Sequence, residues 1–241
     1  MQNNFYCNNP YINIYERPSI NSKISSQIIY GEKFKVLKRI KSFLKIRTSY
    51  DRYTGYIKNR KFIKKFKPTH KVKVLKTRIY KSNNFLPFSS EVEIIKKKKN
   101  YVMFKKNKWI KQKDIIHINK KEKNFPKIFK SYLNCKYKWG GKTFRGIDCS
   151  ALIQLFYKFN KRFFPRDILD QIKYKKGNRI KKKFKIGDII YWKGHVAVCI
   201  NSKKLIHAYG PEKKVIIMPI NETIKRIERT ANLKVKRICK I

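Results

Sequence analysis

The hydrophobic pattern of the chain changes at Pro126, and this change constrains the fold more than any other feature. Before it, short runs of strand-forming residues alternate with turn residues, whereas after it the apolar residues of 128–133 recur at helical spacing. Short strands separated by turns are typical of small antiparallel barrels. Apolar residues three and four positions apart indicate a helix. We therefore expect an all-β part followed by a helix-containing domain.

The all-β part is expected to consist of two copies of one module. Its strand patterns fall in two series, at 12–15, 26–29, 34–37, 43–46 and 54–57, and again at 72–75, 78–80, 92–95, 101–104 and 108–110. Such self-similarity indicates an internal repeat. The polar stretches 67–70 and 120–126 are the expected linkers. The predicted domains are therefore residues 1–66, 70–119 and 125–241.

The third domain is expected to combine helices with strands. A second helix is predicted over 148–159, because apolar residues recur there on one helical face. Strand patterns follow at 187–192, 195–200 and 205–209, joined by tight turns. Helices followed by an antiparallel meander make an α+β domain.

The formal net charge of +49 over 241 residues has two possible explanations. Lys, Ile, Asn, Phe and Tyr are abundant together while Gly and Ala are scarce, which AT-rich coding produces without any binding partner. Selected binding of a polyanion is the alternative, since so basic a surface attracts nucleic acid at low salt. We favour the compositional explanation and expect no specific nucleic-acid partner. The hydrophobic fraction of 41% excludes a disordered chain.

No paired spacing links the five cysteines, which are Cys7, Cys135, Cys149, Cys199 and Cys239. Neither a disulfide framework nor a zinc site is indicated, and a reducing compartment is expected. The first residues show no basic segment followed by an apolar run, and no apolar stretch approaches the ~18 residues of a membrane span. We expect a cytoplasmic protein without a membrane span, or a secreted or periplasmic one if the true start lies upstream. The oligomeric state is not predicted.

Cys149 is the candidate nucleophile. A thiol becomes a good nucleophile when it ionises, which a helix N-terminus and a neighbouring imidazole both favour. Cys149 follows Asp148, a residue that can cap the predicted helix. His195 and His207 lie on neighbouring predicted strands and are expected on the same face. The first would act as the base and the second as the group that orients it.

Four motifs in this order carry a resemblance to a known family. They are Tyr137-Lys138-Trp139-Gly140-Gly141 with Gly146-Ile147-Asp148-Cys149-Ser150, Pro165-Arg166-Asp167 with Gln171, Gly187-Asp188-Ile189-Ile190-Tyr191-Trp192 with Gly194-His195-Val196-Ala197, and Ile206-His207-Ala208. Together they resemble the NlpC family of papain-like cell-wall peptidases. The two modules in front resemble bacterial SH3-like domains, and the whole resembles the γ-D-glutamyl-L-diamino acid endopeptidases that trim murein peptides. This implies an α+β papain-like (NlpC-type) catalytic domain preceded by two small all-β SH3-like barrels.

The resemblance also implies roles for individual residues of the reaction centre. Cys149 matches the nucleophile, His195 the base and His207 the third polar residue. Tyr137 matches a tyrosine whose hydroxyl helps to bind the oxyanion beside the backbone N–H of Cys149. Asp148 matches a carboxylate that pairs with a free substrate ammonium group.

Further residues are implied to bind the substrate. Ser150 and Arg166 match residues that hold its acidic part, and a guanidinium suits the free α-carboxylate of D-glutamate because Arg binds carboxylates with two parallel hydrogen bonds. Relatives favour a small hydroxyl residue where this chain has Ile168, so one substrate hydrogen bond is unaccounted for. Asp51 and Tyr53 resemble a loop that closes the cleft and contacts the substrate amine.

The implied activity is hydrolysis of the γ-D-glutamyl-diamino acid bond of murein peptides, in the recycling of short peptides, without a metal or organic cofactor. Two alternatives stay open. The papain-like core could be an amidase or acyltransferase on another amide. Alternatively, the SH3-like pair could bind wall peptide or a polyanion, with a non-catalytic third domain. The presence of Cys149, His195 and His207 together argues against that last alternative.

Overall fold

The structure is a computed structural model that describes residues 4–179 and 183–241. Within these ranges the strands and helices fall into three consecutive groups. None of the helices in the described part of the chain has the length and apolar character needed to cross a bilayer.

The first group is an antiparallel sheet. Its strands are β1 (Asn4–Tyr6), β2 (Tyr11–Tyr15), β3 (Ile24–Ile29), β4 (Lys33–Ile40), β5 (Phe43–Thr48) and β6 (Thr54–Lys58). They pair in the order β1-β4-β5-β6-β2-β3, and alternate residues such as Ile12, Ile14 and Ile46 form a shared core. Gly55 is required in β6, because a Cβ there would lie 2.4 Å from Cγ2 of Ile14. The predicted strands of this region are present, and β1 is additional.

The second group consists of shorter strands in separate small sheets. They are β7 (His70–Val72), β8 (Lys76–Arg78), β9 (Phe85–Pro87), β10 (Glu91–Val92), β11 (Lys96–Lys98), β12 (Tyr101–Lys105), β13 (Lys108–Lys111) and β14 (Ile115–His117). The sheets are β10-β7-β14, β11-β12-β13 and β8-β9, and they enclose a core with Val72, Leu86 and Val102. The second SH3-like barrel stays a prediction.

The third group is a sheet with helices on both faces. Its elements are α1 (Phe125–Ser131), β15 (Lys142–Thr143), β16 (Gly146–Ile147), α2 (Cys149–Phe159), α3 (Ile168–Tyr174), β17 (Asp188–Trp192), β18 (His195–Cys199), β19 (Lys204–Tyr209), β20 (Lys214–Pro219), α4 (Ile220–Ala231) and β21 (Arg237–Lys240). The antiparallel sheet has the order β20-β19-β18-β17-β21.

Both faces of this sheet are covered, which explains why β17 continues as an apolar run from Ile189 to Trp192. Ile189 and Tyr191 share a core with α1 and α2, whereas Ile190 and Trp192 share another with Ile227 of α4. Successive strand residues point to opposite faces, so a strand buried on both needs apolar residues at every position. The sheet therefore holds α2 firmly against β18 and β19.

The first sheet packs directly on the segment that leads into α2. The amide of Lys142 donates to Oε1 of Gln27 at 2.8 Å, and the buried Lys142 ammonium lies 3.3 Å from Glu32. Gly140 has φ +72, and a Cβ there would lie 2.6 Å from the carbonyl oxygen of Ile24. The backbone of β3 thus approaches this segment more closely than any side chain would permit.

Candidate active site

Cys149 is the first residue of α2 and is 3% exposed. Asp148 is the N-cap, with extended φ and ψ, and its Oδ1 accepts a hydrogen bond from the amide of Ala151 at 2.8 Å. The cap ends the preceding extended segment and starts the helix at the cysteine. The thiol therefore lies at the N-terminus of a buried helix.

Burial controls the charge state of this thiol. It raises the pKa of Cys149 to about 12, and the Asp148 carboxylate acts in the same direction. Hydrogen bonds from the backbone of Val196 and Ser150 lower the pKa by less. Burial therefore opposes the ionisation that is expected from the helix N-terminus. Sγ has to lose its proton at the moment of attack.

His195 and His207 are hydrogen-bonded to each other. Nε2 of His195, at the start of β18, lies 2.9 Å from Nδ1 of His207 in β19. Burial lowers the pKa of His195 to about 4, and it lowers that of His207 as well. Both rings are therefore neutral at pH 7, and a neutral imidazole can accept a proton.

Aromatic rings and a thioether fix the orientation of this pair. Tyr209 stacks on His207 with ring centroids 4.6 Å apart and an interplanar angle of 11°. Trp192 lies 5.6 Å from His195, centroid to centroid. The second ring nitrogen of His207, Nε2, is 3.3 Å from Sδ of Met218 in β20. The rings are held by packing as well as by their hydrogen bond.

Tyr137 lies beside the cysteine and is half-buried. Its amide donates to the carbonyl of Lys213 at 2.8 Å, and its ring packs beside Gly210, where a Cβ would lie 3.6 Å from Cε1. Burial raises its pKa, and the neighbouring Cys149 raises it further. Its hydroxyl is therefore protonated and available as a hydrogen-bond donor.

Arg166 forms a buried network with two other predicted substrate-binding residues, Asp148 and Ser150. Its Nη1 donates to Oδ1 of Asp148 at 3.0 Å and to the hydroxyl of Ser150 at 2.7 Å. Its Nε donates to the hydroxyl of Ser26 in β3 at 2.9 Å. The amide of Gly140 donates to Oδ2 of Asp148 at 2.9 Å. This network connects the cap of α2 to the first sheet.

Asp51 and Tyr53 occupy the loop between β5 and β6, beside the same network. Oδ2 of Asp51 accepts from Nε2 of Gln154 in α2 at 2.8 Å, and Oδ1 accepts from the amide of Tyr53 at 3.3 Å. Burial raises the pKa of Tyr53, and the charges of Asp167 and Arg166 act on its hydroxyl. The loop is thus fastened to the helix that carries the cysteine.

The structure also shows the positions of residues to which the sequence analysis gave no role. Gln171, in α3, is buried and donates to the carbonyls of Ser150 and Pro165, which is a structural role. Ile168 packs against the core around α2. Ser26 and Met218 carried no sequence signal, since one is a polar residue in a strand and the other an ordinary apolar residue of β20. No cluster able to hold a metal ion occurs among residues 4–179 and 183–241.

The part of the chain that carries this site is similar to known proteins. Residues 134–231, which include Cys149, His195 and His207, match the NlpC/P60 family. The third domain belongs to the NlpC/P60 family of cysteine peptidases. Residues 14–62 match the bacterial dipeptidyl-peptidase Sh3 domain, so the first sheet is an SH3 domain in front of the peptidase domain.

Relatives of similar length share both parts. The γ-D-glutamyl-L-lysine dipeptidyl-peptidase of Bacillus subtilis is 26% identical over 238 residues, which cover 86% of this chain and 80% of the relative. Dipeptidyl-peptidase 6 of Lysinibacillus sphaericus is 22% identical over 246 residues, which cover 87% of this chain and 89% of the relative. The crystal structure of an NlpC/P60 family protein from Bacillus cereus superposes with a TM-score of 0.81 at 17% identity, over 98% of this chain and 99% of that one. The fold is therefore shared over 98% of this chain.

Proposed function

We propose that this peptidase hydrolyses the γ-D-glutamyl-diamino acid bond of murein peptides. The observation that carries the proposal is the hydrogen-bonded pair His195–His207 on β18 and β19, the strands that pack on α2, whose capped first residue Cys149 lies beside the backbone of Val196 in an NlpC/P60 domain. The name of the relative from Bacillus subtilis supports the choice of bond.

His195 and Cys149 carry the chemistry. The imidazole of His195 takes the thiol proton while Sγ attacks the γ-carbonyl carbon, giving a tetrahedral intermediate. Its oxyanion accepts hydrogen bonds from the Tyr137 hydroxyl and the Cys149 backbone N–H. The C–N bond then breaks, and the diamino acid leaves with the proton from His195. Water attacks the thioester, gives its proton to His195 and releases the carboxylate, and the thiol is restored.

The charges around Arg166 support a substrate end that carries both signs. The Arg166 guanidinium and the Asp148 carboxylate are buried together and offset each other. An L-alanyl-γ-D-glutamyl end has a free ammonium and a free α-carboxylate, and these would complement Asp148 and Arg166. Ser150 would assist at the carboxylate, and the loop with Asp51 and Tyr53 would close over the amine. Such short peptides with a free amino end support a role in recycling, in the cytoplasm.

The test is incubation with L-Ala-γ-D-Glu-diaminopimelate and its L-lysine counterpart, each with and without an N-terminal acetyl group. Mass spectrometry should show release of the diamino acid from the free peptides and slow or no release from the acetylated ones. Cys149→Ala should abolish release. Cys239→Ala, which changes a buried cysteine of β21 instead, should retain it.

Two results would contradict the proposal at different levels. No release by the native protein, or equal release by Cys149→Ala, would exclude this peptidase activity. Cleavage of acetylated peptides or intact sacculi would keep the chemistry but exclude the recycling role. Transfer of the acyl group to an added amine in place of water would favour the acyltransferase alternative.

A further inference from the structure

The protonation pattern of two histidines decides whether His195 can act as a base. A neutral imidazole carries one N–H and one lone pair. Nε2 of His195 is occupied by its hydrogen bond to Nδ1 of His207, so Nδ1 of His195 is the nitrogen left to take a proton. It can do so when it bears the lone pair.

The hydrogen bond between the two rings can form in two ways. If Nε2 of His195 donates, Nδ1 of His195 has the lone pair and Nδ1 of His207 accepts. If Nδ1 of His207 donates, Nδ1 of His195 carries the hydrogen and has no lone pair with which to take the thiol proton. The distance of 2.9 Å fits both arrangements equally well. The choice must come from the far side of His207.

Met218 is the group on that far side. Its Sδ lies 3.3 Å from Nε2 of His207. A thioether sulfur accepts hydrogen bonds and cannot donate one. In the first arrangement Nε2 of His207 carries a hydrogen that the sulfur accepts. In the second arrangement, the lone pair of Nε2 of His207 faces the lone pairs of Sδ of Met218. The half-buried sulfur then receives no hydrogen bond from His207.

The sheet holds this contact in place. β19 and β20 pair antiparallel, with Leu205 opposite Met218 and His207 opposite Ile216. His207 and Met218 are therefore diagonal neighbours on one face, a separation that long side chains span. The ring of Tyr209 stacked on His207 keeps the imidazole from turning.

We propose that Met218 is a positioning residue that fixes the tautomer of His207 and, through it, leaves the lone pair of His195 on Nδ1. The inference rests on the proposed peptidase function for its catalytic meaning. Leucine and isoleucine fill similar space but offer no acceptor, so the sulfur atom is the feature that matters here.

Met218→Leu tests the role of the sulfur at nearly constant volume. We expect kcat on L-Ala-γ-D-Glu-diaminopimelate to fall about five- to tenfold, roughly the effect of losing one hydrogen bond, with KM unchanged. Met103→Leu is the matched control, because Met103 is also a half-buried strand methionine but lies in β12. Equal kcat in the native protein and in Met218→Leu would overturn the proposal.

Nitrogen NMR of the imidazoles tests the tautomer without any substrate. The chain has four histidines, so that ¹⁵N-histidine labelling gives few signals. In the native protein we expect Nε2 of His207 to be protonated and Nδ1 of His195 to be unprotonated, and in Met218→Leu we expect mixed forms. A His207 protonated at Nδ1 in the native protein would overturn the proposal. This readout stands even if the murein peptide proves not to be the substrate.

A double variant separates the tautomer from simple packing. Asparagine in His207→Asn can accept from Nε2 of His195 but has no tautomers. Adding Met218→Leu to His207→Asn should therefore leave kcat unchanged, whatever the cost of His207→Asn itself. A further five- to tenfold loss in the double variant would show that Met218 acts by packing, and would overturn the proposal.

Discussion

At the scale of single residues, the buried charge of Arg166 holds several residues of the site in place. The guanidinium donates to Asp148, Ser150 and Ser26, and it is 3% exposed. A charge so deeply buried is tolerated because these three partners accept its hydrogen bonds and one of them carries the opposite charge. Its removal leaves the Asp148 carboxylate buried without a counter-charge.

Arg166→Met should therefore lower the free energy of unfolding by about 3 kcal/mol, since breaking a buried pair by removing one partner strands the other charge. Chemical denaturation measures this change. Arg229→Met is the control, because Arg229 is exposed in the last turn of α4 and its loss should change stability little. A cost for Arg166→Met no larger than that of the control would contradict the network.

The buried imidazoles predict a dependence of stability on acid. The pKa of His195 falls from 6.5 to about 4 on folding, and that of His207 is lowered too. Between pH 6.5 and pH 4 these imidazoles bind protons in the unfolded chain but not in the folded protein. The free energy of unfolding therefore decreases progressively as the pH falls from 6.5 toward 4. Above pH 6.5 these two groups should add no pH dependence.

The measurement is the free energy of unfolding at several values between pH 7 and pH 4, for the native protein and for His207→Asn. The variant should lose less stability over this interval, because it has one buried imidazole fewer. His117→Gln, which changes an exposed histidine of β14, should keep the native slope. All three proteins contain the same carboxylates, so the contribution of these groups to the pH dependence cancels when the variants are compared.

At the scale of elements, the segment from Tyr137 to Asp148 sets how the SH3 domain meets the active site. Gly140 allows the carbonyl of Ile24 in β3 to approach, and the same segment ends in the cap of α2. A displacement of this segment would therefore also move the start of α2 and Cys149.

Gly140→Ala should weaken both stability and activity. Its φ of +72 is strained for alanine, and the new Cβ would meet the Ile24 carbonyl oxygen at 2.6 Å. Gly187→Ala is the matched control: it has φ +82, but its Cβ would approach side-chain atoms no closer than 3.3 Å. We expect the control to cost about 1 kcal/mol and keep kcat, and Gly140→Ala to cost more and to lower kcat. Equal behaviour of the two would show that the contact with β3 is unimportant.

The elements also show where periodicity misleads. β11 consists of the exposed lysines Lys96–Lys98, which have no apolar face to signal a strand, and it forms because β12 offers a partner. α3 and α4 were not predicted, although α4 has buried Ile220 and Ile227 on one face. Local propensity is weak in such segments, and tertiary packing decides their conformation.

At the scale of the whole molecule, a buried ionic cluster fastens the SH3 domain to the peptidase domain. Glu32, in the turn before β4, lies 3.3 Å from the ammonium of Lys142 and 3.6 Å from that of Lys158 in α2. All three side chains are buried. Each domain therefore supplies the charge that the other needs, in a chain whose net charge of +49 makes acidic partners scarce.

Glu32→Gln should destabilise the whole molecule by about 3 kcal/mol, because it leaves two buried ammonium groups without their shared carboxylate. Calorimetry should show the loss in the unfolding of both domains, since both lose the contact. Glu222→Gln, in the exposed first turn of α4, is the control. A loss confined to the SH3 domain would show that the peptidase domain does not depend on the cluster.

The sequence by itself determined the chemistry of this protein and the order of its parts. The strands of the SH3 domain, the helix at Cys149 and the strands of His195 and His207 follow from local spacing and capping, which operate between neighbours in the chain. The tertiary structure decided which distant residues meet: Ser26 at Arg166, Asp51 at Gln154 and Met218 at His207. Such contacts leave no periodic trace, because burial and hydrogen bonding between remote segments depend on how the sheets and helices pack.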